Sequence, residues 1–245
     1  MLQRQLKYGL DAPEIVKRLG MYGGFAILAI ILIVIFVPSG WVNTIAIIIL
    51  LFIAASMLIP CLSILAGSLF FKFRERDWLF ANLPLQGNEQ VLDVGCGRGL
   101  LLIAAAKRLT SGKAHGLDLW VQADQANNSK DATLQNAKAE GVIDKIKIHS
   151  ADMRAMPFQD ASMDVIISSW AIHNIYNVQE REQALLEIIR VLKPTGRIAI
   201  LDIDHAASYK DFFIKHGLVD VQLLGPRRTF GNQTNLVLAR KKSQS

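Results

Sequence analysis

The sequence contains one long stretch without a charged residue or a histidine, from Leu19 to Phe71, which is 53 residues in length. A bilayer core needs roughly 20 helical residues for each crossing, so this stretch suffices for two crossings and a turn and hardly for three. With 51% hydrophobic residues in the whole chain, the composition excludes a disordered protein, and the uncharged stretch excludes an ordinary soluble one. We therefore expect a transmembrane helical hairpin over residues 19–71.

The turn of this hairpin is predicted at Pro38-Ser39-Gly40-Trp41, because Pro and Gly interrupt helices where water is available and Trp prefers the membrane interface. The two crossings then run from about 19 to 37 and from about 41 to 60. The extension at 61–71 follows Pro60. It continues the helix, kinks it or lies along the interface, and the sequence leaves these three alternatives open.

Basic residues flank the uncharged stretch on both sides, whereas the predicted turn carries no charge. They are Lys7, Lys17 and Arg18 before the stretch, and Lys72, Arg74 and Arg76 after it. By the positive-inside rule, both chain termini of this integral membrane protein are expected in the cytoplasm. A cleaved signal peptide is the alternative for the first helix, but no small-residue cleavage site follows it and a second apolar helix does.

The N-terminal segment 1–18 is expected to be cytoplasmic and to contain a short helix. Asp11-Ala12-Pro13-Glu14 supplies an acidic N-cap, an early proline and an acid in the first turn, so the helix should run to about Arg18. It lies either on the lipid surface or on the soluble domain.

The formal net charge of the chain is +6. Many of the basic residues lie beside the predicted membrane helices or at 240–242, where the tail 242–245 begins. Anionic lipid headgroups are therefore the favoured counterpart, and no run of basic and aromatic residues indicates nucleic-acid binding. The two cysteines, Cys61 and Cys96, lie in the uncharged stretch and in a glycine-rich turn. Neither a disulfide framework nor a cysteine metal site is expected from them.

From Lys72 onward the sequence alternates between strand-like and helix-like segments. A linker helix is predicted from Lys72 to Leu83, with a loop to 89. Strands are predicted at 91–94, 114–117, 146–149, 165–168, 197–203, 219–224 and 234–239, and helices at 100–109, 129–139, 178–192 and 209–216. This alternation indicates an α/β fold, a doubly wound parallel sheet covered on both faces. Its ligands are expected at the carboxyl ends of the strands.

The first predicted strand ends in a glycine-rich turn, Asp93-Val94-Gly95-Cys96-Gly97-Arg98-Gly99. Glycines let the backbone approach a ligand closely, but the spacing differs from the dinucleotide pattern G-x-G-x-x-G, since Leu100 takes the place of the third glycine. Asp93 is placed to hold the loop and to reach an ammonium group through water. Asp118, at the end of the second strand, is placed to accept hydrogen bonds from both hydroxyls of a ribose. A turn or capping acid is the alternative for Asp118.

These residues resemble those of class I S-adenosylmethionine-dependent methyltransferases, over about 72–241. The similarity covers the glycine-rich turn, Asp118, Ser150-Ala151-Asp152-Met153, and the stretches 158–166 and 190–197. It implies a Rossmann-like sheet of seven strands whose last strand runs antiparallel, a methyltransferase domain over 90–241, and S-adenosylmethionine as cofactor. The segment Trp120–Asn128 is longer than is usual in that family, and the membrane hairpin is not part of the common fold.

The resemblance also implies which residues hold the cofactor. Asp152 is expected to bind the exocyclic amine of the adenine, and Met153 to lie against its ring. The complete predicted cofactor-binding set is Asp93, Gly95, Cys96, Gly97, Gly99, Asp118, Leu119, Asp152, Met153 and Ser169.

His173 follows the fourth predicted strand, where an acceptor would meet the methyl group. It is the leading candidate for a general base or for a group that orients the acceptor, and a structural histidine is the equally weighted alternative. Asp202, Asp204 and His205 form another polar cluster, after the fifth strand. Such clusters are common at solvated strand ends, so no metal site is predicted.

These features predict methyl transfer from S-adenosylmethionine to a small or lipid-like acceptor at the cytoplasmic face of the membrane. The short linker 72–83 keeps the pocket near the headgroups, so quinones, isoprenoids and phospholipid headgroups are suitable acceptors. A membrane-tethered methyltransferase of a soluble metabolite is one alternative. A non-catalytic S-adenosylmethionine-binding partner of a membrane complex is the other. The sequence leaves open whether O, N, C or S is methylated, and the oligomeric state.

Overall fold

The computed structural model describes residues 8–229 and 232–243 of the chain. Residues 1–7, among them Lys7, lie outside the described part, as do 230–231 and 244–245. The predicted N-terminal segment 1–18 and tail 242–245 are therefore described only in part. A long helical hairpin comes first, and a sheet with flanking helices follows it.

Two long apolar helices form the hairpin: α1 runs from Pro13 to Phe36 and α2 from Trp41 to Ala66. By length and composition each suffices to cross a membrane, and in each only 11% of the most apolar window is buried inside the protein. The short helix predicted at the end of the segment 1–18 is continuous with the first long apolar helix. Ala12 occupies the N-cap position and no side chain caps α1, so the predicted N-cap role of Asp11 is wrong. Its carboxylate accepts a hydrogen bond from Ser68 instead.

The second long helix does not end at Pro60. It continues to Ala66, passes through a π-helical turn at Gly67–Phe71 and leads into α3, Lys72–Asn82. Of the three alternatives for residues 61–71, the structure thus has the continued helix. Such a π-helical turn is often a functional feature of a helix, and here it contains the buried Ser68 that binds Asp11.

The two helices of the hairpin pack closely at glycines. A Cβ atom on Gly23 would lie 2.6 Å from the side chain of Leu58, and one on Gly20 would lie 3.7 Å from Cys61 Sγ. Small residues permit this approach in helix pairs within membranes, where close packing rather than exclusion of water holds helices together. The Cys61 thiol also donates to the Val16 carbonyl across the pair at 3.5 Å.

In its described residues, the rest of the chain forms a seven-stranded sheet with four helices between the strands. The strands are β1 Gln90–Val94, β2 Lys113–Asp118, β3 Ile146–Ser150, β4 Met163–Ser169, β5 Leu192–Asp202, β6 Val219–Thr229 and β7 Asn232–Arg240; the helices are α4 Leu100–Arg108, α5 Lys130–Ala139, α6 Val178–Val191 and α7 Ala206–Lys215. The spatial order of the strands is β3-β2-β1-β4-β5-β7-β6. The first five pair in parallel and β7 runs antiparallel to both neighbours, which confirms the predicted seven-stranded sheet with an antiparallel last strand.

The fifth strand begins at Leu192, earlier than its predicted start at Arg197. The residues in between contain Pro and Gly, which favour a turn in the sequence, and Thr195 has a φ of +63°. The backbone N–H of Thr195 donates to the Lys241 carbonyl at 3.0 Å, so this stretch is held at the sheet in spite of its turn-like composition.

Two apolar cores lie on the two faces of the sheet, because alternate residues of a strand point to opposite faces. In β4, Val165 and Ile167 belong to the core that packs α3 and α4, whereas Ile166 belongs to the core that packs α6 and α7. Since both faces are covered, a ligand reaches the sheet at the strand ends.

Candidate active site

The glycine-rich turn after β1 is held against the end of β2 by its own backbone. The N–H groups of Gly95 and Cys96 both donate to the Leu117 carbonyl, at 2.8 and 3.1 Å. Gly95, Gly97 and Gly99 have φ values of +73°, +48° and +88°, which other residues adopt only with strain. A Cβ atom on Gly95 would lie 2.2 Å from the Ala171 Cβ. The turn therefore exposes backbone rather than side chains towards the space between β1 and β4.

Asp118 is bound directly to this turn. Its Oδ2 atom accepts the Gly97 N–H at 2.7 Å, and its Oδ1 atom accepts the Trp120 N–H at 2.6 Å and the Asn128 side-chain amide at 3.3 Å. A carboxylate has about four acceptor positions, so these three donors leave room for one more. A ribose with two hydroxyls would replace one of the present donors. Leu119, the next residue, has an exposed side chain.

Asp93 lies in β1, fully buried, with its Oδ2 atom lacking a hydrogen-bond partner among the described residues. Burial raises the pKa of its carboxyl to about 8, although a hydrogen bond from the Leu102 backbone works in the opposite direction. An orphaned buried carboxyl beside a glycine-rich turn fits a ligand that carries an ammonium group, since a cation would supply the missing donor and charge. The residues present therefore fit the amino-acid end of the predicted cofactor.

Binding of S-adenosylhomocysteine is expected to strengthen as the pH rises from about 6 to about 7.5, because a buried carboxyl must lose its proton before it accepts from an ammonium group. With the pKa of Asp93 at about 8, the cost of that proton loss falls as the pH approaches this value. Titration calorimetry at several pH values measures the slope. Asp93→Asn, which has no proton to lose, should bind weakly with a flat profile. A wild-type affinity independent of pH would contradict the role of Asp93.

Cys96 contributes only its backbone to the site. Its Sγ atom lies in the core beneath Gly116, 2.8 Å from where a Cβ on that glycine would be, and burial raises the pKa of the thiol. A contact of Cys96 with the cofactor is therefore open to its main chain alone.

Asp152 is hydrogen-bonded to Arg154, and its contact with an adenine stays a prediction. Both carboxylate oxygens accept from the Arg154 guanidinium at 2.6 to 3.0 Å, and Oδ1 also accepts the Arg154 N–H. These hydrogen bonds lower the pKa of Asp152. Met153 lies nearer the turn, with its Cε atom 3.7 Å from a Cβ built on Gly95. Ser169 ends β4, paired with Leu201 of β5.

His173 forms a pair with Asp202, which ends β5. The Nδ1 atom of His173 lies 2.5 Å from Asp202 Oδ1, and the His173 backbone N–H donates to Oδ2 at 3.2 Å. Burial opposes a charge on the imidazole, but the hydrogen bond and the negative charge of Asp202 outweigh it, so the pKa of His173 is raised. The Tyr209 hydroxyl donates to Asp202 as well, at 3.2 Å. When Nδ1 carries the proton that is donated to Asp202, Nε2 is unprotonated, and its lone pair is available to take a proton from a methyl acceptor.

Asp202 is grouped by the sequence with Asp204 and His205, yet it is fully buried and turned to His173. His205 contacts Asp204 instead, at 3.5 Å. In residues 8–229 and 232–243, no group of three or more His, Cys, Asp or Glu residues is arranged to hold a metal ion.

A loop of residues 119–128, which we call the roof loop, runs from the end of β2 towards His173. Asp124 in this loop is close enough to His173 for their charges to interact. The roof loop also binds the residues just ahead of α1: the Ala12 N–H donates to the Asp124 carbonyl at 3.0 Å. This contact joins residues far apart in the chain, and no sequence motif indicates it.

Residues 92–200 match the family described as methyltransferase domain. The demethylmenaquinone methyltransferase of Lactobacillus johnsonii is 33% identical over 130 residues, which are 52% of this chain and 49% of that protein. The methyltransferase GfsG of Streptomyces halstedii is 32% identical over 130 residues, which are 53% of this chain and 43% of that protein. The matches thus span about half the length of these curated relatives.

Among solved structures, that of geranyl diphosphate C-methyltransferase from Streptomyces coelicolor, in complex with Mg2+, geranyl diphosphate and S-adenosyl-L-homocysteine, has a TM-score of 0.56 at 15% identity. It covers 73% of this chain and 82% of that chain, and at this identity it shows the fold alone. Residues 92–200 are thus similar to a methyltransferase domain, as the sequence predicts, and the solved structure shares its fold.

Proposed function

We propose, from the methyltransferase domain at residues 92–200, that this chain transfers a methyl group from S-adenosylmethionine to a small lipid-like acceptor that arrives from the bilayer. The observation that carries the proposal is that the first long helix, α1, starts beside the site. The residue ahead of α1, Ala12, is hydrogen-bonded to Asp124, and Asp124 is within reach of the charge of His173. An acceptor that leaves the bilayer along α1 would thus arrive at His173.

The surface around the site supports an apolar acceptor. Large apolar side chains are exposed on the loops after β2, β4 and β5, and they are Leu119, Val121, Tyr176 and Ile203. Exposed apolar side chains grouped around a polar site are typical of surfaces that bind apolar ligands or membranes. One relative is a demethylmenaquinone methyltransferase and one structural neighbour is a geranyl diphosphate C-methyltransferase, and acceptors of that kind suit this site.

The proposal includes the membrane arrangement. Helices α1 and α2 cross the bilayer, and the basic residues at both ends of the hairpin lie on the cytoplasmic side. The catalytic domain and both termini are then cytoplasmic. The helix extension after Pro60 and the linker helix α3 connect the crossing to the domain as one continuous helical path, so the site stays near the headgroups.

In this proposal the glycine-rich turn, Asp93 and Asp118 hold the cofactor, which supplies an electrophilic methyl group on a sulfonium. Methyl transfer by displacement chiefly needs aligned reactants and exclusion of water. The glycine-rich turn aligns the reactants, and the roof loop excludes water from them. His173, oriented by Asp202, accepts a proton from an acceptor hydroxyl or enol at its Nε2 atom.

The test uses the full-length protein in detergent micelles, methyl-labelled S-adenosylmethionine and a quinone-containing bacterial total lipid extract. We expect label in the lipid phase, and about a hundredth as much from an Asp118→Ala control incubated alongside at a concentration of S-adenosylmethionine below its KM. A parallel incubation uses the soluble metabolites of the same cells. Label confined to soluble metabolites would contradict the lipid-like acceptor, and label in neither fraction would favour a non-catalytic binding protein.

A further inference from the structure

The residues between the start of the described chain and α1, Tyr8–Ala12, form a strap across the roof loop. The Leu10 carbonyl accepts the Ala126 N–H at 2.9 Å, and the Ala12 N–H donates to Asp124. Asp11 in the strap pairs with Gln125 in the roof loop as an isolated antiparallel bridge. The strap and the roof loop are thus joined by backbone hydrogen bonds, as two short strands would be.

The residues that follow α2 hold this strap in place. Lys72, the first charged residue after α2, is buried, and its Nζ atom donates to the carbonyls of Tyr8 and Gly9 at 3.0 and 2.6 Å. The buried Ser68 hydroxyl donates to Asp11 Oδ2 at 2.9 Å and accepts the Asp11 N–H at 3.0 Å. Lys72 lies 3.5 Å from the same Oδ2 atom. The chain just ahead of α1 and the chain just after α2 therefore meet at Asp11.

Gln125 connects Asp11 to the glycine-rich turn. Its Nε2 atom donates to Asp11 Oδ1 at 3.1 Å, and its Oε1 atom accepts the Arg98 N–H at 2.9 Å. The preceding N–H, that of Gly97, is bound by Asp118. Two successive backbone N–H groups of the turn, those of Gly97 and Arg98, are thus bound by side chains. One of these side chains, that of Gln125, is itself held by Asp11. A Cβ on Gly97 would lie 2.8 Å from Gln125 Oε1, so the contact needs the glycine.

We propose that Asp11 and Gln125 are positioning residues of the cofactor site, through which the membrane hairpin sets the backbone of the turn at Gly97 and Arg98. The carboxylate of Asp11 only accepts hydrogen bonds, so it forces the NH2 end of the Gln125 amide towards itself and the oxygen towards Arg98. The hairpin is then a structural part of the cofactor site as well as an anchor. The inference rests on the proposed function in one respect, that the ligand of the turn is S-adenosylmethionine.

A polarity swap on the full-length protein in detergent micelles tests this relay, with S-adenosylhomocysteine as the titrated probe. In Gln125→Glu two carboxylates face each other. In Asp11→Asn the side chain has one oxygen and one NH2 group in place of two oxygens. Its NH2 group must therefore face either the NH2 group of Gln125 or the donors of Lys72 and Ser68. Each single variant should raise Kd about tenfold, the effect of one misplaced hydrogen bond to a charged group. In the double variant the new amide at position 11 donates to the new carboxylate at position 125 and still accepts from Ser68. Its Kd should therefore return to within about twofold of wild type.

Asp220→Asn is the matched control, because Asp220 is an exposed carboxylate paired with Arg240, remote in the fold from the turn. Thermal unfolding of every variant separates folding from positioning: a merely structural role would lower the unfolding temperature and leave Kd unchanged. Single variants with the Kd of wild type, or a double variant no better than the singles, would overturn the inference. Absence of binding by the wild type would overturn the proposed function itself, which is a different result.

Discussion

Replacement of His173 by alanine is expected to lower kcat by about 10²–10⁴-fold, the usual contribution of a positioned general base. The affinity for S-adenosylhomocysteine should change by no more than about twofold, since in our proposal the turn and Asp118, and not His173, hold the cofactor. The measurement is steady-state methyl transfer to the labelled lipid acceptor, with a cofactor titration of the same protein. A His173→Ala variant that retains the kcat of wild type would assign His173 to structure.

The pH profile of the same reaction tests the role of Asp202. A base must be neutral, so kcat should fall as the pH drops through the pKa of His173, which lies above its ordinary value of 6.5. In Asp202→Asn the raising effect of that carboxylate on the pKa of His173 is lost, while burial still lowers the pKa and Asp204 and Asp124 still raise it, so the midpoint should move to lower pH. The maximal kcat should also fall, because the imidazole loses its orientation. An identical profile in the variant would contradict the pair.

Asp118→Ala is the second large effect that we expect, an increase in the KM for S-adenosylmethionine of at least about 100-fold, since two lost hydrogen bonds to a charged group cost at least about 3 kcal/mol. The variant loses the acceptor for the ribose and also the atoms that bind Gly97 and Trp120. The KM for the acceptor should change much less, since Asp118 lies at the cofactor end of the site. Asp211→Ala, which removes an exposed carboxylate within α7, is the control for removal of charge. An unchanged KM for S-adenosylmethionine would contradict the assignment of Asp118.

The sheet could be predicted from the sequence because its signals are local. Alternating apolar runs mark strands, and a turn with glycines at every second position marks the exit from β1. The position of Asp118 was predictable for the same reason, as it ends the strand beside that turn, and the structure joins the two by a hydrogen bond. Its binding of a ribose stays a prediction. Helix bounds near the uncharged stretch were less predictable: α1 starts ahead of this stretch, because Lys17 and Arg18 are as compatible with a helix as the apolar residues that follow.

The pairing of side chains could not be predicted, since it depends on tertiary contacts. Asp202 lies 29 residues from His173, and the sequence associates it instead with its immediate neighbours. Arg154 occupies the carboxylate of Asp152, although both are visible in one short segment. Asp11 and Gln125 are 114 residues apart, and they meet because the hairpin returns the chain to the domain. The unusual length of the roof loop is visible in the sequence, and its contacts in the structure explain what the extra residues do.

The most direct test of the central claim is calorimetric titration of the full-length wild-type protein, in detergent micelles, with S-adenosylhomocysteine. The turn at Gly95–Gly99, Asp93 and Asp118 together predict saturable binding of one molecule per chain. A titration without heat at any protein concentration that calorimetry allows, repeated by equilibrium dialysis with labelled ligand, would contradict it.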